Sequence, residues 1–148
     1  MALTIQTVLD AIGRPQAYLR TIEGAELRTT ADKGHGLFST RARAMGELVC
    51  RLDGQVLDSA LYPELMHALE WNALSERLLL VRAVRTSYGY INHARDPNLA
   101  IDPDGVHLRV RRALAAGDEL TLDYLAPPIP QAYLDSEEGR FLRALDQA

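Results

Sequence analysis

The shortness of the apolar runs, and the glycines that separate them, constrain this chain most. Between Ala25 and Leu57 it reads as short strands, Ala25–Thr29, Gly36–Thr40 and Leu48–Leu52, with Gly46 and Gly54 as punctuation. Further on, Leu99–Ile101 runs into Asp102-Pro103-Asp104-Gly105, where proline fixes φ and glycine accepts a positive one. The return strand Val106–Arg111 alternates Val106, Leu108 and Val110 against His107, Arg109 and Arg111. Glu119–Tyr124 follows a turn at Gly117. Strands this short, poorly alternated with helices, exclude a doubly wound parallel sheet and imply a mainly β (α+β) domain.

Three segments depart from that pattern. Leu3, Ile5, Val8, Leu9 and Ile12 are spaced for one helix face, stopped by Gly13 and Pro15. Leu61, Leu65, Met66, Leu69 and Leu74 predict a helix over Ser59–Leu74, capped by Asp58 or Ser59, and the apolar run Leu78–Val84 predicts a buried strand. Pro127-Pro128-Ile129-Pro130 is a stiff linker into an amphipathic helix over Gln131–Gln147, with Leu134, Phe141, Leu142 and Leu145 as its anchors. The chain thus divides into a lead-in at 1–24, a domain at 25–126 with an insert at 57–86, and a helical segment at 127–148. One internal echo stands out: Arg41–Glu47 and Arg112–Asp118 share the order R-A-x-A-x-G-acidic, the signature of two similar turns.

Composition narrows the function. A length of 148 residues fits one core. The single cysteine, Cys50, excludes an intrachain disulfide and a cysteine-based zinc cluster. No pair among His35, His67, His93 and His107 has i, i+4 spacing, so no metal site is expected. The net charge of −4 argues against direct nucleic-acid binding; Arg109, Arg111 and Arg112 read as a solvated strand edge. No run approaches the ~20 apolar residues of a membrane span, and Met1–Gln6 lacks a secretory pattern. An intracellular, cytoplasmic location is the expectation.

Three clusters can carry chemistry. In Lys33-Gly34-His35-Gly36-Leu37-Phe38, two glycines let the backbone turn tightly and approach a ligand. Tyr90-Ile91-Asn92-His93, with Asp96-Pro97-Asn98, offers amide and imidazole hydrogen bonds from an irregular loop. Glu119-Leu120-Thr121-Leu122-Asp123-Tyr124 ends a strand on a tyrosine. Each alone fits a turn or a structural tyrosine.

In this order and spacing the three resemble the SET-domain family of protein-lysine methyltransferases, with Met45-Gly46-Glu47 as its A-G-E-type turn. The resemblance covers roughly Ala25 to Tyr124. It implies a β-clip fold of several short curved sheets, a C-terminal pseudoknot and a few helices, and S-adenosylmethionine as methyl donor. By the same resemblance, Tyr124 is the catalytic tyrosine. Lys33, Gly34, His35, Gly36, Asn92 and His93 hold the donor, and Tyr88, Tyr90 and Leu122 line the lysine channel.

Departures from the family pattern carry expectations of their own. Ala94 and Arg95 stand where many members have Ser-Cys, and no later cysteine could build a zinc-bearing tail. The helix from Gln131 is therefore expected to close the site, with Tyr133 or Phe141 on the adenine. Gly89 replaces an arginine, and Leu52 a tyrosine. Leu122 stands where the family usually has Phe or Tyr, which suggests that more than one methyl can be added. The expected partner is a lysine in a basic protein or peptide. A homodimer, for which the 59–74 helix would offer a surface, stays open. The alternatives are a catalytically inactive SET domain that acts as an interaction module and, more remotely, a sugar- or ice-binding β-clip domain.

Overall fold

The computed structural model describes residues 21–137 and 139–146, so the helix expected at residues 3–12 lies outside the described part. The chain forms two compact units. Among the described residues, one is built from 21–52 and 85–124. The other is built from Asp53–Val84 and the segment from Leu125 onward. Among the described residues no helix is long and apolar enough to cross a membrane.

The first unit consists of small sheets. Strands β1 (Ala25–Thr29) and β2 (His35–Ser39) form an antiparallel hairpin, with Leu27 opposite Leu37. Strands β3 (Leu48–Arg51), β8 (Leu99–Ile101) and β9 (His107–Val110) form an antiparallel sheet with β9 in the middle. The alternation read in β9 holds: Leu108 and Val110 are buried, while His107 and Arg109 are half-buried. These apolar faces meet Ile22, Leu37, Ile91, Leu114, Leu120 and Leu122 in one core. At the β8–β9 turn, the Asp104 carboxylate accepts the Val106 and His107 N–H groups at 2.9 and 3.1 Å and pairs with the His107 ring. The Val106 bond above all, then the ring, holds the Asp104 carboxyl down to about 2. Asp102, beside it, pairs with Arg109 at 2.8 Å.

The echoed turns pack against each other. Arg43 and Leu114 exchange both backbone bonds at 3.0 Å. Three residues on, the Gly46 N–H donates to the Val110 carbonyl at 2.8 Å, and the Gly117 N–H to the Ser39 carbonyl at 2.7 Å. The Val110 and Ser39 N–H groups donate back to the carbonyls of Glu47 and Asp118, each at 2.9 Å. The repeat in sequence is thus a local two-fold in hydrogen bonding. Both glycines are needed, since φ is +87° at Gly46 and +93° at Gly117.

In the second unit, β6 (Leu78–Arg82) lies between β4 (Gln55–Asp58) and β5 (Glu70–Ala73). A central strand explains its apolar run: Leu79, Leu80 and Val81 are all buried. The helix expected over Ser59–Leu74 is corrected. Only α1 (Leu65–Ala68) is helical, and Glu70–Ala73 is a strand paired with β6. Pro63 disfavours helical backbone at Tyr62. Asp58 accepts the Ala60 N–H at 2.9 Å in a turn and does not cap a helix. Pairing with β6 then outweighs a helical preference that is weak in any sequence.

The expected helix at Gln131–Gln147 is likewise two short ones, α2 (Gln131–Leu134) and α3 (Arg140–Asp146). Between them a Cβ on Gly139 would lie 1.8 Å from the Tyr133 carbonyl oxygen, so this close approach requires glycine. Leu142 is buried as expected of an anchor, whereas Phe141 is 48% exposed.

Arg82 is the largest fully buried side chain of this unit. Its guanidinium pairs with Glu70 and donates to Asn72 Oδ1 at 3.0 Å and to the Asp53 carbonyl at 2.9 Å. Removing one partner strands a buried charge. Glu70→Leu should therefore destabilise the protein by about 3 kcal/mol in chemical denaturation, and adding Arg82→Met should recover most of that loss. Asp104 yields a second expectation. Because its folded pKa is depressed, its contribution is present above the unfolded value of 3.8 and lost as pH falls toward about 2. The stability gap between wild type and Asp104→Ala should narrow over that window.

Candidate active site

The site is organised by the shortest strands among the described residues. Asn92–His93 (β7) and Thr121–Leu122 (β10) pair in parallel, Asn92 beside Thr121 and His93 beside Leu122. Two residues a side make a weak ladder, and side chains extend it. The Ala94 N–H donates to the Leu122 carbonyl at 2.9 Å. Asn98 acts as a staple. Its backbone N–H reaches Thr121 Oγ1 at 3.1 Å, its amide oxygen accepts the Thr121 N–H at 2.9 Å, and its amide nitrogen donates to the Glu119 carbonyl at 2.8 Å.

The glycine turn comes against this pair. Gly34 has φ +74°, and a Cβ there would meet nothing, so conformation rather than space calls for glycine. Gly36 is the reverse case: a Cβ would lie 2.7 Å from Glu119 Oε2, 3.0 Å from Thr30 Cγ2 and 3.2 Å from Asn92 Nδ2. The Asn92 amide nitrogen donates to the His35 carbonyl at 2.9 Å and to Glu119 Oε2 at 2.8 Å. Lys33 Nζ stands 3.4 Å from Glu119 Oε1. Lys33, Gly34, His35, Gly36 and Asn92 are therefore one local cluster.

His93 joins that cluster to Tyr124. Its Nδ1 accepts the Tyr124 backbone N–H at 3.1 Å, which leaves the ring proton on Nε2. The Asp123 carboxylate is farther away, 3.8 Å from the same Nδ1, and the shorter bond decides the tautomer. The Tyr124 hydroxyl donates to the Ile91 carbonyl, one residue before Asn92. Burial pushes the hydroxyl above its ordinary pKa of 10.0, opposed by the positive charge of Arg85 and assisted by the negative charge of Glu119. With its proton committed to a carbonyl, the hydroxyl offers any further group its oxygen lone pairs.

The expected channel residues gather here too. Leu122 is buried in the core, and Tyr88, Tyr90 and Tyr124 all pack against that same core. The Tyr90 ring carries the Arg85 guanidinium 4.0 Å above its centroid, and Arg85 Nη2 donates to the Gly89 carbonyl at 2.9 Å. Tyr133 and Phe141 belong to the other unit. There the Tyr133 ring packs edge-on against Trp71 at 5.0 Å and is stacked with His67 at 5.9 Å.

Sequence reasoning did not single out Glu119, Asn98 or Arg85 as site residues. Glu119 and Asn98 lay within quoted motifs, so the signal was present, but motif membership alone does not say which side chain turns inward. Arg85 lay outside every motif. The three arginines read as a strand edge have carboxylate partners: Arg109 on Asp102, Arg111 and Arg112 on Asp96.

The SET-domain family model matches residues 34–125, more than half of the chain. The chain belongs to the SET-domain family. Its members are generally methyltransferases. No curated protein matches the chain. The matched span begins at Gly34 and ends just after Tyr124, so it contains the turn, the staple and the tyrosine of this SET domain.

The raised Tyr124 pKa can be measured directly. Ultraviolet titration should show one tyrosine ionising above pH 10 that Tyr124→Phe removes. Arg85→Ala should push its midpoint higher still, because a favourable charge is lost. A midpoint at or below 10 would contradict the burial seen here.

Proposed function

We propose that this SET domain is a protein-lysine N-methyltransferase that uses S-adenosylmethionine. The observation that carries the reading is the convergence of three segments: Asn92 donates to the His35 carbonyl next to Gly36, its neighbour His93 accepts the Tyr124 backbone N–H, and the Tyr124 hydroxyl donates to the Ile91 carbonyl.

The residues fit the donor at its amino-acid end. Gly36 carries no Cβ, so a carboxylate oxygen of Glu119 and the Asn92 amide come close to its backbone. Asn92 and the Gly34–Gly36 backbone would hold a cationic amino group, with the Glu119 charge as electrostatic complement. When bound, S-adenosylmethionine supplies a methyl group on a sulfonium sulfur. The substrate lysine must arrive as a neutral amine, although a free lysine has a pKa of about 10.4. Apolar burial disfavours the ammonium, and Leu122 with the rings of Tyr88 and Tyr90 supplies apolar surface. The fixed positive charge of Arg85 on Tyr90 acts in the same direction. Tyr124 forms no covalent bond. Its oxygen lone pairs favour the polarised methyl hydrogens and orient the transfer. The proposed substrate is a basic intracellular protein. With a leucine at 122 and no hydroxyl there, repeated methylation of one amine is the proposed outcome.

The test is transfer of a labelled methyl from S-adenosylmethionine to lysine-containing proteins. Tyr124→Phe should lower the rate by about 100-fold while calorimetry still detects donor binding. Gly36→Ala should lose donor binding. Donor binding without transfer to any lysine by the wild type would favour an inactive interaction module. Mass spectrometry that found only monomethyl product at long times would refute repeated methylation.

A further inference from the structure

Glu119 entered the proposed function only as a charge near the donor, yet three donor-cluster residues surround its carboxylate. Oε2 accepts from Asn92 at 2.8 Å, Oε1 lies 3.4 Å from Lys33 Nζ, and Gly36 is kept free of a Cβ by the same Oε2. The Asn92 nitrogen has a second acceptor, the His35 carbonyl at 2.9 Å.

The two ends of an asparagine amide are nearly alike in shape, so its orientation is set by what surrounds it. Two acceptors converging on one atom can be met only by the NH2 end, which has two hydrogens to give. The amide oxygen is therefore turned away from Glu119 and His35. Among the described residues nothing donates to it.

We infer that Glu119 is a positioning residue: by holding the Asn92 amide nitrogen, it presents the Asn92 oxygen as an acceptor for the cationic amino group of the methyl donor. This rests on the function proposed above. Without Glu119, only the His35 carbonyl opposes rotation of the amide, and a rotated amide would present hydrogens to a cation. Replacing the side chain spares the backbone of the strand, because the Asn98 staple grips the Glu119 carbonyl and Thr121 instead.

The experiment is steady-state methylation with S-adenosylmethionine varied, on wild type, Glu119→Ala and Glu119→Gln. Glu119→Ala should raise KM for the donor about tenfold, as for one lost charge-assisted hydrogen bond, with kcat within about twofold. Glu119→Gln keeps an oxygen that can accept from Asn92 and should recover most of the loss. An unchanged KM in Glu119→Ala, an equal fall in kcat and kcat/KM, or a glutamine variant no better than alanine would each overturn the inference. Side-chain amide NMR gives a readout that needs no donor: the Asn92 NH2 protons should be protected from exchange in wild type and less so in Glu119→Ala. Equal protection in the two would overturn it as well. A wild type that binds no S-adenosylmethionine would instead overturn the proposed function, and this inference with it.

Discussion

The first unit depends on the parallel pairing of Asn92–His93 with Thr121–Leu122. Parallel strands cannot be joined by a tight turn, so such a pair must be assembled from distant parts of a chain. This one is too short to hold itself by ladder bonds. Asn98 completes it with three hydrogen bonds, to the Thr121 hydroxyl, the Thr121 N–H and the Glu119 carbonyl. The candidate site hangs from that junction. Asn92 faces the glycine turn, His93 accepts the Tyr124 backbone N–H, and the Tyr124 hydroxyl closes on Ile91.

Side chains that bond to backbone recur throughout the protein, and the reason is strand length. Sheets of two to five residues leave many backbone groups at their ends, and buried backbone groups must be paired. Arg43, almost fully buried, satisfies the carbonyls of Glu23 and Gly24 at 2.7 and 3.0 Å and bonds Ser39 at 3.0 Å. In the other unit Arg82 serves the Asp53 carbonyl in the same way. Polar residues thus do much of what long ladders do in larger sheets. Each becomes costly to remove, because its loss orphans several groups at once.

The charged groups of the candidate site are already paired within the protein. These groups are Lys33, Glu119 and Arg85. Each has a partner: Lys33 and Glu119 each other, Arg85 the Tyr90 ring and the Gly89 carbonyl. The tyrosine proton is already placed. For the proposed methyl transfer, such a site would act by orientation and fixed polarity, which suits a reaction in which the enzyme forms no bond of its own.

The order of motifs in the sequence was enough to name the family, because Gly34–Phe38, Asn92–His93 and Glu119–Tyr124 carry their chemistry in residue type and spacing. Turn chemistry was equally legible: the hairpin at Asp102–Gly105 and the echoed glycines depend on local φ preferences that a sequence displays openly. The helix expected at Ser59–Leu74 failed because an apolar spacing of three and four does not reveal that β6 awaits a second partner strand. The break at Gly139 was hidden for the same reason, since the carbonyl it approaches belongs to Tyr133 and proximity is not written in spacing. Glu119 shows the division most clearly. Its place in a motif was visible from the start. That its carboxylate turns inward to grip Asn92, and is crowded there by Gly36, was decided only when three distant segments met, because the direction of a side chain is a property of packing.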